Sequence, residues 1–137
     1  MSGMDRLAGR GIIVTGASGI AAASARRFAA EGATVAIVSR TAATSEALAA
    51  EIGEAGGTAV AIAADLTEVP AAHEALATAI ARLGRVDGLF NVAGGSGRRL
   101  GDGPLHELTP EAYEATMRLN ATTHVTVTAP VLRAMLG

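Results

Sequence analysis

A glycine-rich turn near the amino terminus has the composition of a phosphate-binding loop. Residues 15–19 read Thr-Gly-Ala-Ser-Gly and join a short apolar run to a helical pattern. Glycines at Gly16 and Gly19 would let backbone N–H groups approach a pyrophosphate, and the amino terminus of the following helix would add partial positive charge. The competing interpretation is that glycine merely allows the chain to turn. The position between a strand-like run and a helix favours phosphate binding.

A second candidate position lies at the end of the next apolar run, which reads Val38-Ser39-Arg40. An acidic residue here would accept hydrogen bonds from the adenine ribose of NAD, and it would also serve a methyltransferase; none is present. Arg40 could instead hold the 2′-phosphate of NADP, so the sequence favours NADP, with NAD as the alternative. The competing interpretation is that Arg40 is a solvated residue before the next helix.

Polar residues also follow the third and fourth apolar runs. Asp65 follows the third run, and residues 91–94 read Asn-Val-Ala-Gly at the end of the fourth. Ligands of open α/β sheets bind outside the carboxyl ends of the strands, so both positions are predicted to face the ligand crevice. Each is also typical of an ordinary turn, because Asp, Asn and Gly favour turn conformations.

The elements that would position these residues alternate along the chain. Four apolar runs have the length of strands buried on both faces of a parallel sheet: residues 10–15, 34–39, 58–63 and 87–92. Helical patterns follow the first three runs, over residues 19–31, 44–55 and 68–83, and each ends before a predicted capping glycine: Gly32, Gly56 and Gly84. The alternation predicts one doubly wound, Rossmann-type α/β domain over residues 1–137.

The last element allows two interpretations. Residues 122–128 alternate β-branched side chains, which favours a strand. Thr109, Pro110 and Glu111 instead form a helix start, as an amino-terminal cap, a proline at the first position and an acid in the first turn. No turn residue intervenes before Pro130. We therefore predict one long helix from residue 110 to about residue 134.

The other side chains that could take part in binding or catalysis are given structural interpretations. His73 falls on a predicted apolar helical stripe with Leu76 and Ile80, and the histidines show no metal-ligand spacing. Tyr113, the only tyrosine, is interpreted as a packing residue. Arg98 and Arg99 lie in a glycine-rich stretch, and two arginines in a loop are usually solvated.

Composition excludes several classes of function. The net charge of −2, with both signs interspersed, gives no electrostatic footprint for nucleic acid or an anionic membrane. The absence of cysteine excludes disulfides and thiolate catalysis. All eleven basic residues are arginine, which excludes a Walker-type phosphate loop because that loop needs lysine. The chain shows no signal-peptide core and no membrane-spanning stretch, so a cytoplasmic location is expected.

Four motifs, in this order and spacing, resemble the short-chain dehydrogenase/reductase family. They are Ile-Val-Thr-Gly-Ala-Ser-Gly-Ile at 13–20, Ala-Ala-Asp-Leu at 63–66, Val-Asp-Gly-Leu-Phe-Asn-Val-Ala-Gly at 86–94, and Met-Arg-Leu-Asn at 117–120. The resemblance covers nearly the whole chain. It implies an oxidoreductase that transfers hydride between NAD(P) and a carbonyl or alcohol substrate, whose identity the sequence leaves open.

The resemblance also implies roles for individual residues. The pyrophosphate and the nearby ribose would be contacted by Thr15, Gly16, Ala17, Ser18, Gly19 and Ile20. Arg40, with Ser39 beside it, would select NADP, and Asp65 and Leu66 would flank the adenine. The nicotinamide side would be lined by Asn91, Ala93 and Gly94, and Asn120 would support the proton relay. Arg98 and Arg99 would border the substrate crevice.

Two departures from the family pattern shape the expected function. The glycine loop is one residue shorter than the usual Thr-Gly-x-x-x-Gly-x-Gly, and Ala21 replaces its last glycine. The sequence ends at Gly137, before the catalytic Ser and the Tyr-x-x-x-Lys helix. We expect an amino-terminal part of such an enzyme, inactive alone, with the sheet truncated after its fourth strand in the order 3-2-1-4. An unpaired fourth strand predicts a homo-oligomer or aggregation. The alternative is a non-catalytic nucleotide-binding or self-associating module.

Overall fold

The computed structural model describes residues 5–137, so the first four residues of the predicted domain lie outside the described part. A parallel sheet contains β1 (Gly11–Thr15), β2 (Thr34–Ser39), β3 (Thr58–Ala63) and β4 (Gly88–Asn91). Their order is β3-β2-β1-β4, as predicted. At the carboxyl end of β1, Thr15 pairs with Val38 on one side and with Asn91 on the other. The ends of these three strands therefore meet at one edge of the sheet.

Both faces of the sheet are covered by the helices α1 (Gly19–Ala30), α2 (Ala42–Glu54), α3 (Val69–Leu83) and α5 (Thr123–Leu136). A further helix, α4 (Pro110–Met117), precedes α5. The first two helices pack on one face, where Val14 of β1 is buried, and α3 and α5 pack on the other, where Ile13 is buried. Neighbouring strand residues point to opposite faces, so one strand serves both cores. The predicted doubly wound, Rossmann-type architecture is confirmed.

Burial differs between the central and the outer strands. Every residue of β1 is buried, and so is β2 after its first residue. The strands β3 and β4 are only half-buried along most of their length. The prediction that all four strands are buried on both faces is therefore wrong for these two. Each is an outer strand with a single neighbour in the sheet, which leaves part of it open.

The helix ends follow the predicted capping chemistry. Gly32, Gly56 and Gly84 all have positive φ angles, a conformation that a glycine adopts without strain. At the start of α4, Oγ1 of Thr109 accepts a hydrogen bond from the backbone N–H of Ala112 at 3.2 Å. That bond is the predicted amino-terminal cap.

The segment after Thr109 is helical throughout. The helix α4 is followed directly by a π-helical turn, Arg118–Thr122, and then by α5. The strand interpretation of residues 122–128 is therefore wrong, and the long-helix prediction is confirmed. Val127 and Val131, four residues apart, are completely buried against the sheet, and this tertiary packing outweighs the local strand propensity. Among residues 5–137, no helix is long and apolar enough to cross a membrane.

Two predicted packing positions are exposed instead. The buried face of α3 is formed by Ala72, Ala75, Leu76 and Ala79, and His73 faces solvent. Alanines bring the helix close to its neighbours, so the buried face is rotated away from the predicted stripe. Tyr113 on α4 is 54% exposed, which contradicts its interpretation as a packing residue.

Candidate functional site

A cavity of about 740 Å³ lies at the carboxyl edge of the sheet. It is lined by the β1–α1 loop, the ends of β2 and β3, the segment after β4, and the turn after α4. The structure brings together nine of the residues predicted to contact a cofactor: Gly16, Ala17, Ser18, Ser39, Arg40, Asp65, Leu66, Ala93 and Gly94. Thr15, Gly19, Ile20, Asn91 and Asn120 lie outside this lining. The predicted edge is therefore a concave site built from several loops.

The glycine loop turns sharply between β1 and α1. Gly16 has a φ angle of +99°, and its backbone N–H donates to the carbonyl oxygen of Val38 at 2.8 Å, which fixes the loop against the end of β2. Ser18 is the extended residue before α1, and the first turn of that helix carries no acidic side chain. The amino terminus of α1 therefore presents its partial positive charge to an anion without a competing carboxylate in that turn.

Ala21 occupies space beside the first glycine of the loop. Its side chain is 1% exposed, and a Cβ atom added at Gly16 would lie 3.1 Å from the Cβ of Ala21. The side chain of Ile20, in the first turn of α1, is 71% exposed to solvent. The short loop thus keeps its turn at Gly16, and Ala21 packs where the family pattern has a further glycine.

Thr15 connects the ends of β1 and β4 rather than lining the cavity. Its hydroxyl is completely buried and donates to Oδ1 of Asn91 at 2.7 Å. It also accepts hydrogen bonds from the backbone N–H groups of Val92 and Ala93, each at 3.0 Å. These bonds hold the loop after β4 beside the glycine loop. Within the described chain, Nδ2 of Asn91 is a buried donor without a hydrogen-bond partner.

Asp65 is held in a charged, oriented state at the end of β3. Its Oδ1 accepts from the hydroxyl of Thr67 at 2.6 Å and from the backbone N–H of the same residue at 2.9 Å. These hydrogen bonds lower the pKa of Asp65 below its ordinary value, against a smaller opposing effect of burial, and the positive charge of Arg40 lowers it further. A carboxylate and a guanidinium therefore face the same cavity.

Asn120 fastens the loop after β4 to the π-helical turn. Its Oδ1 accepts from the backbone N–H of Gly95 at 3.0 Å, and its Nδ2 donates to the carbonyl oxygens of Gly95 at 2.8 Å and Thr116 at 3.0 Å. A Cβ atom at Gly94 would lie 2.7 Å from Oδ1 of Asn120, so the close approach requires glycine there. The amide positions the cavity wall, and its predicted support of a proton relay stays a prediction.

Several cavity residues have no counterpart among the predicted cofactor contacts. Arg99 lies in a 3₁₀ turn, Gly97–Leu100, and Arg118 is the first residue of the π-helical turn; both line the cavity. The glycine-rich stretch around Arg99 was a usable signal, whereas Arg118 lies in the motif at 117–120 from which only Asn120 was assigned a role. Across residues 5–137, no group of three His, Asp or Glu side chains is placed to hold a metal ion.

A parallel sheet in this order, covered on both faces and open to a cavity at its carboxyl edge, defines a Rossmann-like α/β protein. The family model described as short chain dehydrogenase matches residues 10–137. The chain belongs to the short-chain dehydrogenase family. Among curated proteins compared by sequence, none matches the chain.

Solved structures of this family resemble the chain closely in fold. A short chain dehydrogenase from Mycobacterium smegmatis has a TM-score of 0.88 at 27% identity, with 98% of this chain and 55% of that chain covered. A dehydrogenase/reductase from Sinorhizobium meliloti 1021 has a TM-score of 0.87 at 36% identity, with coverage of 96% and 51%. A hydroxysteroid dehydrogenase from Escherichia coli has a TM-score of 0.86 at 31% identity, with coverage of 96% and 54%. The chain therefore spans about half the length of these structures.

Proposed function

We propose that this chain forms the cofactor-binding part of an NAD(P)-dependent oxidoreductase acting on a carbonyl or an alcohol, with NADP preferred. The observation that carries the proposal is that the glycine loop and Arg40, at the end of β2, line the same cavity. Family membership supports the reaction class. The nicotinamide cofactor supplies the hydride chemistry, and the residues of this chain bind and orient it.

The glycine loop and α1 are suited to the pyrophosphate. Gly16, Ala17 and Ser18 line the cavity directly before the helix begins. Backbone N–H groups in this position donate to phosphate oxygens, and the helix terminus favours their negative charge. The bond from Gly16 to Val38 holds the loop in place before a ligand arrives, which reduces the ordering cost of binding.

Arg40 is suited to the 2′-phosphate of NADP. Its side chain is exposed in the cavity lining, and the acid that would bind a free ribose hydroxyl is absent from the end of β2. A guanidinium donates two parallel hydrogen bonds to a phosphate, and such charge-assisted bonds are among the stronger ones in proteins. NADP would therefore gain a contact that NAD lacks.

Titration of the purified chain with NADPH and NADH, followed by nicotinamide fluorescence, tests this proposal. We expect NADPH to bind roughly tenfold more tightly than NADH, because one charge-assisted contact distinguishes them. Arg40→Gln should remove the preference, whereas Arg82→Gln, in the last turn of α3 and outside the cavity lining, should keep it. Equal affinities in the unchanged chain would refute NADP selection, and binding of neither nucleotide would refute the cofactor site.

We further propose that these 137 residues bind the cofactor without turnover. The chain contains no lysine, and its single tyrosine, Tyr113, lies exposed on α4 outside the cavity lining. The acid–base pair that the family resemblance implies for hydride transfer therefore has no counterpart among these residues. NADPH absorbance followed in the presence of a panel of aldehydes and ketones should stay constant. Sustained oxidation that requires the purified chain would overturn this part of the proposal.

A second candidate function, self-association, is favoured by a groove beside the outer strand β4. The groove measures about 410 Å³ and is lined by β4, α5 and the residue before β4: Asp87, Gly88, Leu89, Asn91, Thr128, Val131, Leu132 and Met135. An edge strand offers unpaired backbone groups, and the buried Nδ2 of Asn91 lacks an acceptor among residues 5–137. A second copy of the chain would pair with the free backbone groups of this edge.

Sedimentation velocity over a series of protein concentrations tests this candidate. We expect a concentration-dependent dimer or larger species. Leu132→Glu, which places a charge on a half-exposed groove residue, should shift the distribution towards monomer. Val125→Glu, on an exposed part of α5 outside the groove, is the matched control and should leave the distribution unchanged. A monomer at every concentration would contradict self-association.

A further inference from the structure

Two arginines in the cavity lining are not used by the cofactor contacts proposed above. Within residues 5–137, Arg40, Arg99 and Arg118 line the cavity, and Asp65 is the one acidic residue in the lining. The carboxylate of Asp65 already accepts two hydrogen bonds from Thr67. A cavity with this imbalance attracts an anionic occupant.

Arg99 and Arg118 approach the cavity from one packed unit. Gly97, in the same 3₁₀ turn as Arg99, is buried so closely against α4 that an added Cβ would collide with Oγ1 of Thr116. Arg118 follows α4 directly as the first residue of the π-helical turn. The same helix therefore sets the position of both backbones, which lowers the cost of bringing the two guanidinium groups to one ligand.

Among residues 5–137, neither guanidinium is engaged with a carboxylate. Ion pairs are formed there by other arginines, namely Arg6, Arg10, Arg26, Arg27 and Arg85. In the part of the chain that the structure describes, Arg99 and Arg118 form no such pair, and both are exposed. Their donors are therefore available for a ligand, and a guanidinium matches the geometry of carboxylate and phosphate alike.

The location of these arginines separates them from the proposed phosphate contacts of the cofactor. Arg40 follows β2, whereas Arg99 and Arg118 belong to the segment that follows β4, and β1 lies between those two strands. The glycine loop after β1 and Arg40 would take the pyrophosphate and the 2′-phosphate. The charge beyond β4 is left for the other occupant of an oxidoreductase site, which is its substrate.

We infer that Arg99 and Arg118 select a carbonyl or alcohol substrate that carries its own anionic group, a carboxylate or a phosphate. The inference rests on the proposed function, because it assigns the remaining part of the cavity to the substrate. The two arginines bind the anionic group and orient the substrate. A neutral substrate of the same shape lacks this contact.

Binding of matched ligands to the chain saturated with NADPH tests the inference. The probes are acetoacetate, its neutral methyl ester, and 2-oxopropylphosphonate, each titrated by calorimetry or ligand-observed NMR. We expect at least one of the two anions to bind about tenfold more tightly than the ester, the size of one charge-assisted contact. The phosphonate represents a phosphate group, so the anion that binds more tightly identifies whether carboxylate or phosphate is preferred.

Variants assign the effect to the two arginines. The double variant R99Q/R118Q should bring the anion-to-ester affinity ratio close to one while NADPH affinity stays within about twofold, since both side chains are exposed and outside the proposed cofactor contacts. Arg98→Gln, a neighbour in the same 3₁₀ turn that does not line the cavity, should preserve the ratio. The urea midpoint of each variant verifies that it folds.

The outcomes separate this inference from the proposed function. NADPH binding without any preference for the anions would overturn the inference alone. A loss of NADPH affinity in R99Q/R118Q would overturn it as well, because the arginines would then serve the cofactor. A failure of the unchanged chain to bind NADPH would refute the proposed function, and with it the assignment of the remaining cavity to a substrate.

Discussion

Replacement of Thr15 by valine tests the connection between the ends of β1 and β4. The Thr15 hydroxyl is completely buried, donates to Oδ1 of Asn91, and accepts from the backbone N–H groups of Val92 and Ala93. Valine has nearly the same shape as threonine. The substitution therefore removes hydrogen bonds and leaves most of the surrounding packing in place.

The expected loss of stability follows from those three bonds. A hydrogen bond contributes a net ~0.5–1.5 kcal/mol, so three contribute roughly 1.5–4.5 kcal/mol. Val92 and Ala93 are only half-buried, so water can replace part of what the variant loses. We expect the free energy of unfolding to fall by about 2–3 kcal/mol. A domain is typically stable by about 5–15 kcal/mol, so Thr15→Val should remain folded.

Urea denaturation followed by circular dichroism measures this change, as a shift of the midpoint at a constant slope. Thr58→Val, at the exposed start of β3, is the matched control and should change stability by less than about 0.5 kcal/mol. Combining Thr15→Val with Asn91→Ala should give a non-additive loss, because the two side chains share a bond. The reasoning is refuted if Thr15→Val behaves like the control, or if the two losses simply add.

The remaining predictions concern Glu31, Asn120 and Gly97. The Arg6 hydrogen bond outweighs burial and lowers the pKa of Glu31 from 4.5 to about 2, so this stabilisation is complete above about pH 5 and is lost as the pH falls towards 2. Urea midpoints across that range should decline, and Glu31→Gln should flatten the decline. Asn120→Ala should accelerate hydrogen exchange at the Gly95 amide, because the variant loses its acceptor. Gly97→Ala should lower the urea midpoint, because the added Cβ collides with α4.

Local signals in the sequence were sufficient for most of the fold. The apolar runs of β1 and β2, the glycines after the helices and the cap at Thr109 each depend on a few neighbouring residues, and the structure agrees with them. The strand order followed from the family resemblance. Burial was less predictable, because the sequences of β3 and β4 have the apolar character of central strands although each strand has only one neighbouring strand in the described sheet.

The parts of the site that the sequence did not predict depend on contacts between distant residues. Thr15 and Asn91 are 76 positions apart, so their hydrogen bond has no local signature. The family resemblance implies cofactor contacts for both, which stays a prediction, and the structure shows in addition that they connect two strand ends beside the cavity. Arg118 lines the cavity together with residues that follow β1, β2 and β3, which are distant from it in the sequence. Side-chain chemistry was visible in the sequence, but its spatial grouping was not.

The π-helical turn sets the direction in which α5 faces the sheet. A π turn contains one residue more than an α-helical turn. The five residues of Arg118–Thr122 therefore turn the chain about as far as four α-helical residues would, which is about 100° less than five α-helical residues. At this orientation Val127 and Val131 are buried in the core, while Asn120 within the turn bonds to Gly95. A regular α-helix of the same length would rotate both valines away from the sheet, so the geometry of this turn couples the core to the cavity wall.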